Sequence, residues 1–245
     1  MQTRSSHTHW LAPLLFLLGL LWLSVLAFLL SWPDMEASVF DTSTSLVADE
    51  RLRALRCPYV ITADEEAMVR VRFENESDRK ASFLVRSRIS RGYLTLVSED
   101  TQQMNLAPGQ VQSLEWPVSA RDAVYGRVVM ARVLAMRSAA GPARERACGI
   151  LVLGPAGIPG RWILVLALLF GLALCGGGAL WWWRQRRPLG FYTRGTVRRA
   201  GLLSFVVLAS VVAGLLSLWL VSHLLLITAA GLALALLQQA LGGTF

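Results

Sequence analysis

The last 46 residues, Ala200 to Phe245, contain no Asp, Glu, Lys or Arg. Charge is scarce elsewhere too: 16% of residues are charged and 54% hydrophobic. Soluble domains carry roughly 25% charged and about 45–50% apolar residues. The imbalance excludes a disordered tail, a collagen and a coiled coil. Three Cys are too few for a disulfide-rich toxin. The chain also lacks a phosphate-binding glycine loop, a Ser-x-x-Lys pair and a Cys-x-x-Cys pair. The run Gly176-Gly177-Gly178 lies inside an apolar stretch, where it cannot cradle a phosphate.

What charge there is follows a pattern. All 16 acids lie between Asp34 and Glu145. Residues 33–161 hold 17 basic residues against those 16 acids, a net of +1. The other seven basic residues are Arg4 and a cluster of Arg184, Arg186, Arg187, Arg194, Arg198 and Arg199. The net charge of +8 is therefore no basic stripe on a folded face, and no nucleic-acid partner is expected.

Long hydrophobic runs are plentiful. A bilayer core of about 30 Å needs about 20 apolar residues in a helix. Residues 10–32 and 162–183 each meet that length, and the uncharged tail is long enough for a hairpin of 201–220 and 224–241 turning near Ser222 and His223. One span and an interfacial helix is the alternative for the tail. The apolar run of 10–32 outlasts a signal-peptide core, so an uncleaved anchor is expected. Short loops rich in Arg stay in the cytoplasm. This puts the 1–9 and 184–200 segments and the C-terminus inside, and 33–161 outside, with Trp10, Trp32, Trp162 and Trp181–Trp183 at the interfaces. The expected setting is a bacterial inner membrane.

Residues 33–56 read as a polar linker, with a short helix over 45–56. From 57 to 155 the pattern is that of strands. In AMVRVRFE, residues 67–74, apolar and polar positions alternate strictly. Further strands are expected over 82–89, 93–97, 111–118, 124–136 and 147–153, separated by turn residues such as Ala107-Pro108-Gly109. The spacing predicts an antiparallel β-sandwich. Cys57 and Cys148 bracket it in an oxidising compartment, so a disulfide is expected, with two buried thiols as the alternative. The expected class is thus a membrane protein of four transmembrane helices plus an all-β immunoglobulin-like sandwich.

The stretches VRVRFENESDRKASFLV and LAPGQVQSLEWPV resemble the bacterial extracytoplasmic immunoglobulin-like modules of the CARDB type, over about 57–153. Such a resemblance implies a sandwich fold and binding or scaffolding, with no common catalytic residues. The overall layout resembles accessory subunits of bacterial respiratory or photosynthetic electron-transfer assemblies.

Three features of the spans bear on function. Small residues recur at Ala167, Gly171, Cys175 and Ala179, at Ser210, Gly214 and Ser217, and at Gly231 and Ala235. This spacing lets helix backbones approach closely, within the chain or with a partner. The Arg cluster orients the chain and is suited to contact anionic lipid or an acidic partner surface. His223 is a candidate ligand for haem or a chlorin shared with a partner subunit; its plainer reading is an interfacial His bonded to backbone or headgroup. The four spans contain no Asp, Glu, Lys or Arg, which argues against a pump or channel acting alone. No cofactor and no enzymatic activity are expected. The expected function is a non-catalytic accessory subunit packed on other membrane subunits, with a binding or sensor module and a cofactor-bearing subunit as alternatives.

Overall fold

The computed structural model describes residues 8–40, 50–52, 55–137, 143–154, 157–185 and 192–242. Helix α1 (Thr8–Val39) comes first. Among the described residues nine strands follow: β1 (Glu50–Arg51), β2 (Leu55–Arg56), β3 (Val60–Thr62), β4 (Ala67–Glu74), β5 (Ala81–Arg91), β6 (Tyr93–Leu106), β7 (Val111–Val118), β8 (Val128–Arg137) and β9 (Arg144–Leu153). Three helices close the chain: α2 (Gly160–Gln185), α3 (Tyr192–Leu215) and α4 (Trp219–Gly242). The chain divides into two compact units, one of residues 1–31 and 164–245 and one of residues 32–163.

In the β unit, one sheet has the order β1-β9-β8-β5-β6, with β3 also paired to β9, and a second has the order β2-β4-β7. The alternation in β4 buries Val69, Val71 and Phe73, and their neighbours across the strand pair on β7 include Trp116 and Leu114. These residues share one core with Val85 on β5, Val129 and Val133 on β8 and Ile150 on β9. Strands β5 and β8 are joined from Phe83↔Arg137 to Ile89↔Ala131, and β8 and β9 from Val128↔Leu151 to Ala135↔Arg144.

This architecture corrects the expected class of membrane helices plus an all-β immunoglobulin-like sandwich. Strands β1 and β3 both run parallel to β9. The last turns of α1 also belong to this unit, where Ala37 and Phe40 pack on Val124, Val128 and Met130. The chain is mixed α/β: one helix, a β region, then three helices. Alternation of period two marks a strand with one buried face, whichever way its neighbour runs. It could not separate parallel from antiparallel pairing. The expected linker 33–56 is replaced in part by the end of α1 and by β1 and β2; the segments 41–49 and 53–54 lie outside the described residues.

The other unit packs its helices around α1, where Leu23 and Ala27 are fully buried with Val207 and Val211 of α3 and Ala229 of α4. Among the described residues four helices are long and apolar enough to cross a membrane: Leu11–Val39, Gly160–Arg184, Arg198–Leu215 and Trp219–Gln238. Three hydroxyls in these helices bond within their own helix. Ser24 donates to the Leu20 carbonyl, Ser31 to Ala27 and Ser204 to Ala200, each four residues back.

The α3–α4 turn falls at 216–218, earlier than Ser222 and His223. Ser217 has φ 53°, the left-handed conformation. The Ser217 amide donates to the Gly214 carbonyl and the Leu218 amide to Ala213, both at 2.9 Å. That pair of bonds is the Schellman ending, which uses up orphan carbonyls at a helix terminus. Ser222 and His223 lie inside α4 instead.

Candidate functional site

The stripe Ala167, Gly171, Cys175 and Ala179 of α2 packs on α1, whereas Gly176 and Gly177 are exposed. Trp22 Nε1 donates to the Ala167 carbonyl at 2.9 Å. A Cβ on Gly171 would lie 2.7 Å from both Leu23 Cδ2 and Trp22 Cδ1, and one on Gly19 would strike the Cys175 backbone. Cys175 and Ala179 complete the same buried cluster. In α3, Ser210 is fully buried, and its carbonyl accepts from Ser222 Oγ at 3.0 Å. A Cβ on Gly214 would come within 3.3 Å of Leu30 Cβ. Ser217 lies in the turn and not on the α3 face. The α4 pair differs: Gly231 and Ala235 are both exposed, and a Cβ on Gly231 would meet nothing within 4 Å.

His223 Nδ1 lies 2.8 Å from the Trp219 carbonyl. A carbonyl only accepts, so Nδ1 is the donor in this contact. Nε2 is buried without a hydrogen-bond partner, and the ring meets Phe28 and Trp219 edge to face at 5.8 and 6.3 Å. Among the described residues no group of three or more His, Cys, Asp or Glu is gathered to hold a metal. Arg184, Arg198 and Arg199 are exposed. Arg194 belongs to the start of α3, and Arg186 and Arg187 lie outside the described residues.

The β unit holds its polar groups differently. Cys57 and Cys148 are joined in a disulfide with Cα atoms 6.5 Å apart, a normal span for such a bridge. Arg132 Nη1 and Glu145 Oε1 form an ion pair at 2.6 Å, with side chains only 4% and 9% exposed. Arg132 Nη2 donates to the Ser38 carbonyl at 2.9 Å, placing a cation where the helix dipole of α1 is negative. Asp34 Oδ1 accepts from the Gly149 amide at 3.0 Å. A Cβ on Gly149 would collide with the Pro33 carbonyl, so only glycine admits this approach. Tyr59 lies in the field of Asp34; burial first, then that carboxylate, raises its phenol above the ordinary 10.0, opposed by Arg146. The sequence marks none of these roles, because Asp34, Arg132 and Glu145 look like the surface charges around them.

One surface of the β unit is unusual. At the β5–β6 turn the register jumps from Ser90↔Val97 to Arg91↔Tyr93, leaving Leu94, Thr95 and Leu96 without partners on β5. Tyr93, Leu94 and Leu96 are each half or more exposed, and Tyr125 is 73% exposed. The rings of Tyr93 and Tyr125 meet edge to face at 6.3 Å. The sequence YLTLV carried a signal for this. Its apolar residues fall on both faces of the strand, so a covering layer is needed on both or neither.

No known family profile and no curated protein matches the chain. Parts of some solved structures are similar. A Bacteroides uniformis β-glucuronidase shares 10% identity over 42% of this chain and 12% of that one, with a TM-score of 0.28. The Pseudomonas fluorescens alkylpurine DNA glycosylase AlkC, bound to DNA containing an abasic site analog, shares 14% over 48% and 35%, at 0.32. The CsuC-CsuE chaperone-tip adhesion subunit complex of Acinetobacter baumannii shares 14% over 40% and 53%, at 0.25. The chain thus spans from about an eighth to about half of these chains. At such TM-scores the likenesses carry neither fold nor activity, and the CARDB-type resemblance finds no support among them.

Proposed function

We propose that the chain is a non-catalytic, membrane-embedded accessory subunit that packs on other subunits of a larger bacterial membrane complex. Its setting in this reading is the inner membrane, with both termini in the cytoplasm and the β unit outside. The uncharged apolar stretches 10–32, 162–183 and 201–241 and the Arg residues gathered at the end of α2 and the start of α3 support that orientation. One observation carries the reading. The stripes Ala167–Ala179 on α2 and Ser210–Gly214 on α3 are covered by the chain's own helices, while Gly231 and Ala235 on α4, like Gly176 and Gly177 on the other side of α2, are open, the α4 pair beside exposed Ile227 and Leu234. A helix face of this kind suits close approach by another apolar helix. The similar structures point to no electron-transfer assembly, so the partner is named only by that chemistry.

The test is gentle detergent extraction from the native membrane, followed by mass spectrometry of what accompanies the chain. A co-purifying membrane protein is expected, and Gly231→Leu with Ala235→Leu should release it while leaving helix content unchanged. A monodisperse lone chain would refute the reading. A second reading, an extracytoplasmic binding or sensor module, draws on the adjacent exposed rings of Tyr93 and Tyr125. It requires saturable binding of a soluble carbohydrate or peptide, lost in Tyr93→Ala.

A further inference from the structure

The exposed β5–β6 tip has a definite place within the β unit. Strand β9 hands the chain to α2 near Leu151, and Leu151 pairs with both Val60 and Val128. The first residue of α2, Gly160, sits against the Val60 carbonyl, and its amide donates to Glu65 Oε2 at 2.7 Å. Ile89 and Ala131 are partners, and Tyr125 precedes Val128 by three residues. The Tyr125 amide donates to the Gly92 carbonyl at 3.1 Å, which ties the two loops together. Tyr93, Leu94, Leu96 and Tyr125 therefore crown the end of the sheet from which α2 departs. At that end α2 itself begins with an exposed Arg161 stacked 5.9 Å over the Trp162 ring, an aromatic–cation pair of the type that anchors helices at a bilayer interface.

The charge of the tip is one-sided. Arg91, Arg121 and Arg127 are exposed and have no ion-pair partner among the described residues. The acid in these loops, Asp122, is engaged locally: its carboxylate accepts from the Ser119 amide at 2.8 Å. Exposed Leu and Tyr flanked by free guanidinium groups match a headgroup layer. The apolar side chains enter the acyl boundary, the phenols stay at the polar level, and each guanidinium meets a lipid phosphate.

We propose that this tip is a second membrane contact, in which Leu94, Leu96 and the Tyr93–Tyr125 pair dip into the outer leaflet and Arg91, Arg121 and Arg127 bind anionic phospholipid. It rests on the membrane-embedded reading given above. The contact fixes the β unit against the bilayer in addition to the helices that enter it.

The test uses the full chain in vesicles, with Cys175→Ala to leave a single reporter thiol. An environment-sensitive fluorophore is attached at Leu94→Cys, and for comparison at Val111→Cys, which is exposed at the opposite end of the β unit. The vesicles contain nitroxide-labelled lipid with either phosphatidylcholine alone or added phosphatidylglycerol. Quenching at position 94 is expected to be several-fold stronger than at 111 and to rise with phosphatidylglycerol. That rise should vanish in R91Q/R121Q/R127Q. If Leu94→Cys does not fold, Leu96→Cys serves the same purpose. Equal quenching at the two ends overturns the proposal. So does a position 94 shielded from water but not quenched, which would mean a protein covers the tip. An alkaline wash separates the two failures. A chain released from the vesicles defeats the membrane reading itself, whereas a retained chain with an unquenched tip defeats this proposal alone.

Discussion

The two units use opposite means of holding together. The β unit spends polar and covalent devices: a disulfide across 91 residues, a buried Arg132–Glu145 pair and an aspartate on a sheet amide. The helical unit has none of these among its described residues. It relies on removing side chains, so that at Gly19, Gly171 and Gly214 a neighbouring helix comes directly against the backbone. On the membrane-embedded reading proposed above, the difference follows from solvent. Where water is displaced on folding, burial of Val, Ile and Trp drives the fold and polar groups add selectivity. Where lipid surrounds helices, exchanging lipid contacts for Leu contacts gains little, so closeness and packing decide.

The contrast can be broken from either side. The largest effect is expected from Cys148→Ser. Losing a loop closure of this length costs about 4–5 kcal/mol in the chain-entropy account. Thermal unfolding followed by near-ultraviolet dichroism should show the loss, and reduction of the wild-type chain should reproduce it. Unchanged helix content in detergent would confirm that only the β unit depends on the bridge.

Next is Glu145→Ala, which leaves Arg132 buried and unpaired. Such a change costs about 3–5 kcal/mol, read by chemical unfolding of the β unit. The double variant Arg132→Met, Glu145→Leu should recover much of it, since a well-packed apolar pair removes the orphaned charge.

On the helical side, Gly171→Leu forces a side chain against Leu23 and Trp22. Overpacking costs about 1–3 kcal/mol. Unfolding in a titration of denaturing detergent should move accordingly, with the β unit unaffected. Gly231→Leu is the matched control and should leave that titration unchanged, because its site is open.

The smallest effect is expected from Ser222→Ala. Interhelical hydrogen bonds in membranes contribute about 0.6 kcal/mol on average. A loss much above that would mean the helical unit depends on polar bonds more than its packing suggests, and would narrow the difference between the units.

Much of this was legible from residues. Strands β4 and β7 could be read directly, because Val69, Val71 and Phe73 alternate with Arg70, Arg72 and Glu74. Four apolar segments could be counted because nothing charged interrupts them. Three things were not legible, each for a physical reason. Parallel pairing of β1 and β3 with β9 depends on contacts across the whole unit. The α3–α4 turn sits at Ser217 in a run where apolar residues continue on both sides, so Ser222 and His223, the more polar pair, drew attention. Ser222 Oγ and His223 Nδ1 bond the carbonyls of Ser210 and Trp219 within the helical unit, and neither marks a turn. For the β5–β6 tip, YLTLV suits a strand buried on both faces as well as one bare on both, and only the register break at Ser90 and Arg91 decides.

Strand β9 has a further consequence, for the order in which the protein is made. It pairs with β1, β3 and β8 and carries Cys148, yet it is the last strand of its unit to leave the ribosome. Until residues 144–153 emerge, β1 and β3 have no neighbour in their sheet, Arg132 has no counter-ion and Cys57 has no mate. The nascent chain therefore holds β1 and β3 open for about a hundred residues before their edge of the sheet can close, although β4 with β7 and β5 with β6 and β8 can pair earlier, and contacts of such long range form slowly and are exposed to aggregation meanwhile. Closure of this sheet and formation of the disulfide are coupled by the strand order, and a truncation just before Arg144 would leave β1, β3, Arg132 and Cys57 without partners rather than merely trim the unit.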